Sequence, residues 1–181
     1  MMKNFVVIFF SFLLLSCTNQ IQSFDAFGLK VLYRLPSSNF KVHQEKSPSR
    51  VVTYFQFPEL HSKKYNANVT ADVIVVARRV PKNVAQDVFF AEQISSAYQI
   101  PGFKQGSDFH DQLKFKISND TEFPFQYTNK FGVLHNVLET ALLDKSSHIG
   151  FVIIYDCTDD LYPENRKLAQ ELLNSFSFAR K

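Results

Sequence analysis

Apolar and polar residues alternate with a period of two along most of this chain, and no other feature restricts its possible folds as strongly. The clearest case is the segment 69–80, where valine and alanine at odd positions share one face and the other face is polar only near its ends. This period is typical of β-strands, which send successive side chains to opposite faces of a sheet. The same pattern predicts strands at 29–35, 40–42, 51–57, 113–117, 123–127, 133–143 and 149–157, with the longest polar loop at 61–68.

Two stretches have helical spacing instead. The first begins after Asn83, which we expect to cap the helix, and ends at Pro101-Gly102. The second covers about residues 163–174, has Pro163 at its first position, and is followed by an extended segment at 175–178. The predicted buried stripes are Val84, Val88, Ala91 and Ile94 in the first helix, and Leu168, Leu172 and Leu173 in the second.

One predicted helix lies between the strand runs, and a second helix follows the last strands. This order predicts an α+β domain, with a mostly antiparallel β-sheet flanked by helices. The order of elements resembles the PsbP/DcrB-like group in the opening strand pair at 28–42 (GLKVLYRLPSSNFKV), the strand and helix at 69–98, and the closing unit at 151–178. The resemblance covers about Gly28 to Phe178 and implies an α/β/α sandwich. It departs from the group at Asn39 and Phe40, where a tryptophan is usual, and it transfers no catalytic residue.

The N-terminus has the composition of a secretory signal. Lys3 precedes an apolar run from Phe5 to Leu15, which is shorter than the roughly 20 residues needed to cross a hydrocarbon core. The run ends in Leu14-Leu15-Ser16-Cys17, which resembles a bacterial lipobox and implies cleavage before Cys17 and lipid on its sulfur. An ordinary signal peptide with a cysteine here by chance is the alternative. We therefore divide the chain into a lipoprotein signal peptide (1–16), a lipidated tether (17–26) and a single α+β domain (27–181).

Such an anchor predicts a location at the bacterial cell envelope. By resemblance to enterobacterial sorting, Thr18 favours the outer membrane, with the domain facing the periplasm. Removing residues 1–16 removes one lysine, so the formal net charge changes from +3 to +2. A nucleic-acid-binding protein needs a concentrated basic face, and the basic clusters here are small. We expect contact with the membrane through the anchor, an envelope protein as partner, and no nucleic acid.

No motif of a common enzyme class occurs in the chain. The sequence lacks the Gly-x-Ser-x-Gly elbow and the His-Glu-x-x-His and Cys-x-x-Cys spacings. Its 5 glycines form neither of the common phosphate-binding loops. We therefore predict no catalytic residue, no cofactor and no metal site, and a single modified residue, Cys17.

Three groups of residues could carry chemistry, and each has a plainer interpretation. His110 lies among acids in Asp108-Phe109-His110-Asp111, but neighbours on a strand point apart, so a solvated turn is favoured over a metal site. His43 and Glu45 share one strand face and are expected to be exposed. Cys157 remains as the thiol of the mature chain, and the three carboxylates near it disfavour the thiolate that catalysis requires.

These observations favour a non-enzymatic, lipid-anchored envelope lipoprotein that binds a protein partner or helps to assemble a membrane complex. The alternative is a small-ligand or lipid-binding lipoprotein with an apolar pocket between sheet and helix. A third hypothesis, a hydrolase or metal-dependent enzyme, requires one histidine to converge with two acids. The aromatic residues at 123–131 supply a further criterion, because two or more exposed together would mark a protein or lipid contact site.

Overall fold

The computed structural model describes residues 20–106 and 122–180 of the chain. In this part, seven strands form an open sheet in which every neighbouring pair is antiparallel. Numbered along the chain and taken in spatial order, they are β3 (Lys41–Lys46), β4 (Arg50–Gln56), β7 (Asp72–Arg79), β11 (Ile149–Thr158), β10 (Leu134–Asp144), β9 (Glu122–Thr128) and β8 (Lys104–Gln105).

Two helices, α1 (Gln86–Ala97) and α2 (Tyr162–Ser175), cover opposite faces of this sheet. Strand β11 shows the division: Ile153 belongs to a buried cluster with Leu172 of α2, whereas its neighbour Ile154 packs with Phe90 of α1. Because successive strand residues point to opposite faces, the sheet has an α1 face and an α2 face. The predicted α+β class, an antiparallel sheet flanked by helices, is confirmed.

The α2 face holds the main hydrophobic core. It joins the large sheet to α2 and to a three-stranded antiparallel sheet, in which β2 (Leu29–Tyr33) lies between β1 (Gln22–Ala26) and β12 (Ser177–Arg180). Leu172 and Leu173 of α2 are fully buried, as predicted, and the rings of Tyr33 and Phe55 meet edge-on with centroids 4.8 Å apart. Since each buried side chain of this size contributes about 1.5–3 kcal/mol, this face supplies most of the stability.

The α1 face is covered only in part by the described residues. Phe89 of α1 is fully buried, and its ring lies so close to β11 that a Cβ at Gly150 would be 2.4 Å from it. By contrast, Tyr54, Ile74 and Val76, on the same face of β4 and β7, are only half-buried. A helix about 10 Å wide covers roughly two strands spaced about 4.8 Å apart, so α1 alone cannot cover the seven-stranded sheet.

Two predicted boundaries are wrong because short strands carry few apolar residues. Residues 22–26, which the sequence assigned to the tether, form β1; it pairs with β2 and buries Phe24 and Ala26. The segment between Cys17 and β1 is therefore 18–21, which spans at most about 14 Å when extended. The polar loop at 61–68 contains the hairpin of β5 (Leu60–Ser62) and β6 (Ala67–Val69), so β7 starts at Asp72 rather than at residue 69.

The predicted buried stripe of the first helix is wrong at Val88 and Ala91, whereas Val84 and Ile94 pack against the buried clusters of the α1 face. The helix begins at Gln86 rather than just after Asn83. Val88 is 49 % exposed and Ala91 is exposed, while Phe89, between them in sequence, is fully buried. The physical reason is area: a phenylalanine ring buries far more apolar surface than valine or alanine, so the helix is rotated to place Phe89 on the sheet.

Candidate functional site

A connected polar network lies on the α1 face, at the end of the sheet where β9 and β11 finish. Nδ1 of His135 donates to Oδ1 of Asp156 over 2.7 Å, and the hydroxyl of Tyr127 donates to Oδ2 of the same carboxylate over 2.8 Å. The rings of Tyr127 and His135, opposite each other in register, stack with centroids 4.7 Å apart. Side chains from two strands therefore hold a carboxylate of a third strand by both of its oxygens.

Asn129 extends this network into the turn between β9 and β10. Its Oδ1 accepts hydrogen bonds from the backbone N–H groups of Phe131 and Val133, over 2.9 and 3.1 Å. Its Nδ2 is then the donor that faces Nε2 of His135 at 3.2 Å. The network thereby assigns the ring hydrogen of His135 to Nδ1, where Asp156 accepts it. The imidazole links this carboxylate to the conformation of the turn.

A second carboxylate, that of Asp72 on β7, faces Asp156 directly across the sheet. Side chains at such positions have Cβ atoms about 4.5–5.5 Å apart, and like charges there destabilise each other. Burial and, secondly, the charge of Asp156 raise the pKa of Asp72 to about 6, against smaller opposing effects of His43 and His135. Asp72 therefore takes up a proton at a pH where an ordinary aspartate is ionised.

Glu139, on the same face of β10, is a second carboxyl group with a raised pKa. It is 6 % exposed, and burial raises its pKa to about 7. Its neighbours across the strands are Ile154 and Phe123, both of which pack with residues of α1. A carboxyl group in such apolar surroundings retains its proton close to neutral pH. Carboxyl groups with raised pKa values are frequent at functional sites, and Asp72 and Glu139 both lie on the α1 face.

This arrangement brings one histidine together with two acids, as the enzyme hypothesis requires. Nδ1 of His135 is bonded to Asp156, its Nε2 lies 3.2 Å from Nδ2 of Asn129, and Asp156 also accepts a hydrogen bond from Tyr127, so each of these groups has partners within the network. Within residues 20–106 and 122–180, no group of three or more His, Cys, Asp or Glu side chains is arranged to hold a metal ion. What the network can do is hold the β9–β10 turn in one conformation.

That turn presents Phe131 to solvent. Phe123 and Phe125 are buried and Tyr127 is half-buried, so one aromatic residue of 123–131 is exposed rather than the two or more that the criterion requires. Phe131 is 78 % exposed, and the ammonium group of Lys130 lies 5.0 Å from the centroid of its ring. Beside the turn is a groove of about 350 Å³, and we call the turn and this groove together the hairpin surface. The groove is lined by Ile100, Pro101, Gly102, Tyr127, Thr128, Asn129 and Lys130.

The wall of the groove depends on a glycine. Gly102, in the turn between α1 and β8, has a φ of +77°, and its carbonyl accepts a hydrogen bond from the N–H of Thr128 over 3.3 Å. A Cβ at Gly102 would lie 2.7 Å from the carbonyl oxygen of Thr128. Any other residue would therefore strain the turn and push it away from β9. Tyr127 and Asn129 line the groove and also belong to the polar network. The hydrogen bonds of that network therefore fix the conformation of the hairpin surface.

A second groove, of about 530 Å³, lies between β2 and the last turn of α2. The hydroxyl of Ser175 bridges its two sides by accepting from the N–H of Arg34 over 2.9 Å. The interface between α2 and the seven-stranded sheet, in contrast, is filled by fully buried residues such as Phe55 and Leu172. The lining of the groove is half apolar: Ile21, Leu32, Tyr33, Leu35 and Pro36, with Arg34, Glu171, Asn174, Ser175 and Ser177.

The candidates taken from the sequence have different outcomes. His43 and Glu45 are exposed on β3, as expected, and the ring of His43 stacks on Tyr54 with centroids 4.3 Å apart. Cys157 is buried, and burial raises the pKa of its thiol to about 11, so the thiol is protonated at neutral pH. Outside the described residues lie Cys17, the cluster of Asp108, His110 and Asp111, and the strand predicted at 113–117.

Across residues 20–106 and 122–180, no helix has both the length and the apolar character needed to cross a membrane.

Comparison with known proteins adds information about the fold. No protein-family model matches the chain, and no curated protein does. A similar solved structure is that of LpqN, involved in cell envelope biogenesis of Mycobacterium tuberculosis: 13 % identity, a TM-score of 0.55, and coverage of 88 % of this chain and 91 % of LpqN. At this identity the similarity shows a shared fold.

Proposed function

We propose that this protein is a non-enzymatic lipoprotein of the bacterial cell envelope, anchored by lipid at Cys17, which binds a protein partner through the hairpin surface. The observation that carries the proposal is Phe131, a large aromatic side chain that is 78 % exposed on a turn held by Asn129. Aromatic side chains that insert into a partner are common centres of binding energy at protein interfaces. Binding of this kind also suits the assembly of a membrane complex.

The network supports binding by reducing the flexibility of the turn. Hydrogen bonds from Tyr127, His135 and Asn129 order it before any partner arrives. A surface already ordered in the free protein loses less conformational entropy on association, and its affinity is higher for the same contacts. The polar residues of this site thus have a role that requires no reaction.

The envelope location is supported by the sequence and by the similar fold. The lipobox-like Leu14-Leu15-Ser16-Cys17 predicts the anchor, and LpqN, which shares the fold, is involved in cell envelope biogenesis. With β1 starting at Gln22, residues 18–21 hold the domain within about 14 Å of the anchor, so the expected partner lies near the bilayer. The proposal includes a PsbP/DcrB-like domain and an outer-membrane location facing the periplasm.

Photo-crosslinking at residue 131 tests the partner. The lipidated chain carries p-benzoylphenylalanine in place of Phe131 and is irradiated in its native envelope. We expect one dominant crosslinked protein, and a matched chain with the crosslinker at Lys167, exposed on α2, provides the control. Phe131→Ser is expected to lower partner recovery about tenfold or more, since truncating an interface aromatic typically costs over ~1 kcal/mol. Identical adducts at both positions, or none, would contradict the proposal.

Labelling with a radioactive or clickable fatty acid tests the anchor separately. We expect the label on the wild-type protein and on Cys157→Ser, and none on Cys17→Ser, because only the thiol of Cys17 follows the lipobox-like sequence. Loss of label in Cys157→Ser, or its persistence in Cys17→Ser, would reject the proposed anchor.

The groove of about 530 Å³ favours a second function, the binding of a small apolar ligand or lipid. Its volume is in the range of small-molecule sites, about 300–1,000 Å³. Titration of the mature protein with a dansyl-labelled fatty acid tests it. We expect Leu35→Asp, inside the groove, to weaken binding about tenfold, while Val42→Asp, exposed elsewhere, leaves it unchanged. Equal binding by both variants would reject this groove as the site.

A further inference from the structure

The side-chain amide of Asn129 links the imidazole of His135 to the exposed turn of the hairpin surface. Its oxygen accepts from the backbone N–H groups of Phe131 and Val133, and its Nδ2 lies 3.2 Å from Nε2 of His135. The amide has one oxygen, so both bonds to the turn require the NH₂ group to face the ring. The ring accepts from that group only while Nε2 carries no proton. The ordered turn therefore requires neutral His135, with its hydrogen on Nδ1.

A proton on Nε2 of His135 would place two hydrogen-bond donors against each other. An imidazolium donates from both ring nitrogens, so its Nε2–H would face the NH₂ group of Asn129. Reversing the amide brings its oxygen to Nε2, but the NH₂ group then faces the N–H groups of Phe131 and Val133. The protonated ring and the turn thus compete for a single oxygen. Whenever the ring takes that oxygen, the turn loses the bond that holds the backbone of Phe131.

This competition affects the position of Phe131 rather than the hairpin as a whole. The backbone N–H of Asn129 donates to the carbonyl of Val133 over 2.9 Å, and the N–H of Gly132 donates to the carbonyl of Asn129 over 3.0 Å. Strands β9 and β10 are also paired with each other along their length. These bonds do not use the side chain of Asn129. We therefore expect protonation of His135 to free the backbone N–H of Phe131 and to leave the strands in place.

Two carboxylates near His135 favour the proton that the turn opposes. Asp156 of β11 accepts from Nδ1 over 2.7 Å, and Asp72 of β7 faces Asp156 across the strands, so both stabilise a positive imidazole. The side chain of His135 is 18 % exposed, and histidine is the side chain whose charge ordinarily changes between about pH 5 and 8. Asp72, whose pKa is raised by burial to about 6, takes up its own proton in the same range. Asp156 then remains as the ionic partner of the ring.

Other charged or titratable groups lie on the elements around His135. They are Tyr127 on β9, Lys41 and His43 on β3, Lys64 and Tyr65 in the β5–β6 hairpin, Asp159 and Asp160 after β11, and Lys130 in the turn. The cations of β3 are separated from β10 by three strands, and Lys64 is paired with Asp159. Asp72 and Asp156 therefore determine the sign of the charge that the ring faces across the sheet.

We infer that His135 is a pH-dependent switch for the hairpin surface: the partner binds while Nε2 is unprotonated and the turn is ordered, and protonation of Nε2 releases Phe131 and weakens binding. This inference rests on the proposed function and adds its regulation. Because a single proton opposes the partner, the dissociation constant rises by at most about tenfold for each pH unit below the transition. By the same linkage, binding of the partner releases that proton.

Nuclear magnetic resonance of the ¹⁵N-labelled lipidated chain in detergent micelles tests the switch without a partner. The order parameter of the Phe131 N–H group is expected to fall from about 0.85 at about pH 8 to below about 0.6 at about pH 5, values that separate rigid from flexible backbone. His135→Gln should abolish this transition, because an amide does not titrate in this range. His61→Gln, at an exposed histidine of β5, is the matched control and should retain it, as should Asp72→Asn. A wild-type turn that is equally ordered at both pH values, or a transition that persists in His135→Gln or disappears in either of the other variants, would overturn the inference.

Asn129→Asp should reverse the direction of the transition. A carboxylate has two oxygens, so one can accept from the N–H groups of the turn while the other accepts from protonated Nε2 of His135. A neutral ring would instead present the lone pair of Nε2 to a carboxylate oxygen. We expect the turn of this variant to be ordered at about pH 5 and less ordered at about pH 8. A transition in the wild-type direction would show that the amide does not couple the ring to the turn and would overturn the inference.

Crosslinking from p-benzoylphenylalanine at position 131 measures the effect on the partner. In native envelopes, the yield of the adduct is expected to fall about tenfold between about pH 7.5 and 5.5, and to stay constant when the same chain also carries His135→Gln. Equal yields from the chain with His135 at the two pH values would overturn the inference and leave the proposed function standing. No adduct at either pH would overturn both.

Discussion

On the α2 face, 25 of the described residues form one continuous buried cluster, whereas on the α1 face the described buried residues form two clusters of four. Three carboxyl groups of the central strands, those of Asp72, Glu139 and Asp156, all lie on the α1 face. Buried apolar area is the main source of folding free energy. Because the α2 face supplies most of the stability, the α1 face can hold polar and exposed groups in addition to its smaller buried clusters.

The largest expected difference between the faces is in the free energy of unfolding that is lost when either of two neighbouring isoleucines on β11 is replaced. Ile153 is 1 % exposed on the α2 face, and Ile154 is half-buried on the α1 face. We expect Ile153→Ala to lower the free energy of unfolding by about 3–4 kcal/mol and Ile154→Ala by about 1–2 kcal/mol, since a fully enclosed site cannot collapse around the lost atoms. Urea denaturation with unchanged m-values measures both, and equal losses would remove the contrast between the faces.

A second prediction concerns the part of the α1 face that is tightly packed. In Gly150→Ala, the new Cβ would lie 2.4 Å from the ring of Phe89 and 2.7 Å from Val80. We expect a loss of about 1–3 kcal/mol in the free energy of unfolding from overpacking. The double variant with Phe89→Leu should recover part of that loss, because it removes the ring. A Gly150→Ala protein as stable as wild type would show that α1 is loosely held.

The pH dependence of stability is predicted to come from the α1 face. The folded-state pKa of Asp72 is raised to about 6, above an unfolded value near 3.9, so the folded state binds the proton more tightly. The stability that Asp72 contributes is therefore fully present below about pH 4 and lost as the pH rises through about 6. Asp72→Asn should make the protein about 1 kcal/mol more stable than wild type at pH 7.5, since partial solvent exposure limits the effect.

Denaturation between pH 4 and 8 measures this difference, which should disappear at the acidic end. Glu139→Gln is the matched variant, and its effect should extend to a higher pH because the pKa of Glu139 is raised to about 7. A wild-type protein that gains stability relative to Asp72→Asn as the pH rises would contradict the assignment.

The smallest expected effect on stability is at the hairpin surface. Phe131→Ser should change the free energy of unfolding by no more than about 0.5 kcal/mol, because Phe131 is 78 % exposed. Thermal unfolding measures it on the same Phe131→Ser protein whose partner recovery is determined. A loss comparable to that of Ile154→Ala would mean that Phe131 supports the fold and would weaken its proposed role in binding.

Much of the sheet could be predicted from the sequence, because most of its strands have a continuous buried face. The strands predicted at 29–35, 51–57, 123–127, 133–143 and 149–157 all form, with ends shifted by no more than a few residues. Strand β1 was missed because only Phe24 and Ala26 are buried in a mostly polar segment. Val88 and Ala91 were wrongly assigned to the buried stripe of α1 because spacing alone did not weigh the large area of Phe89 against these smaller residues.

The candidate site could not be predicted in the same way, because it depends on which strands are neighbours. His135 and Asp156 are 21 residues apart, and the facing of Asp72 and Asp156 requires the pairing of β7 with β11. A partial signal existed: each of these aspartates lies near the end of a strand whose other residues on that face are largely apolar. Acids at corresponding places in two such strands can be recognised as a pair only once the strand order is known.

Strand β2 has partners at both extremes of the described chain: Leu32 is opposite Ser23 of β1 and also opposite Ser177 of β12. If the chain is exported as proposed, β2 leaves the translocation channel long before β12. The small sheet then stays incomplete, and the core that it covers stays open, until β12 has also left the channel. Because of this delay the polypeptide stays unfolded while it crosses the channel, so lipid can be attached before the domain folds.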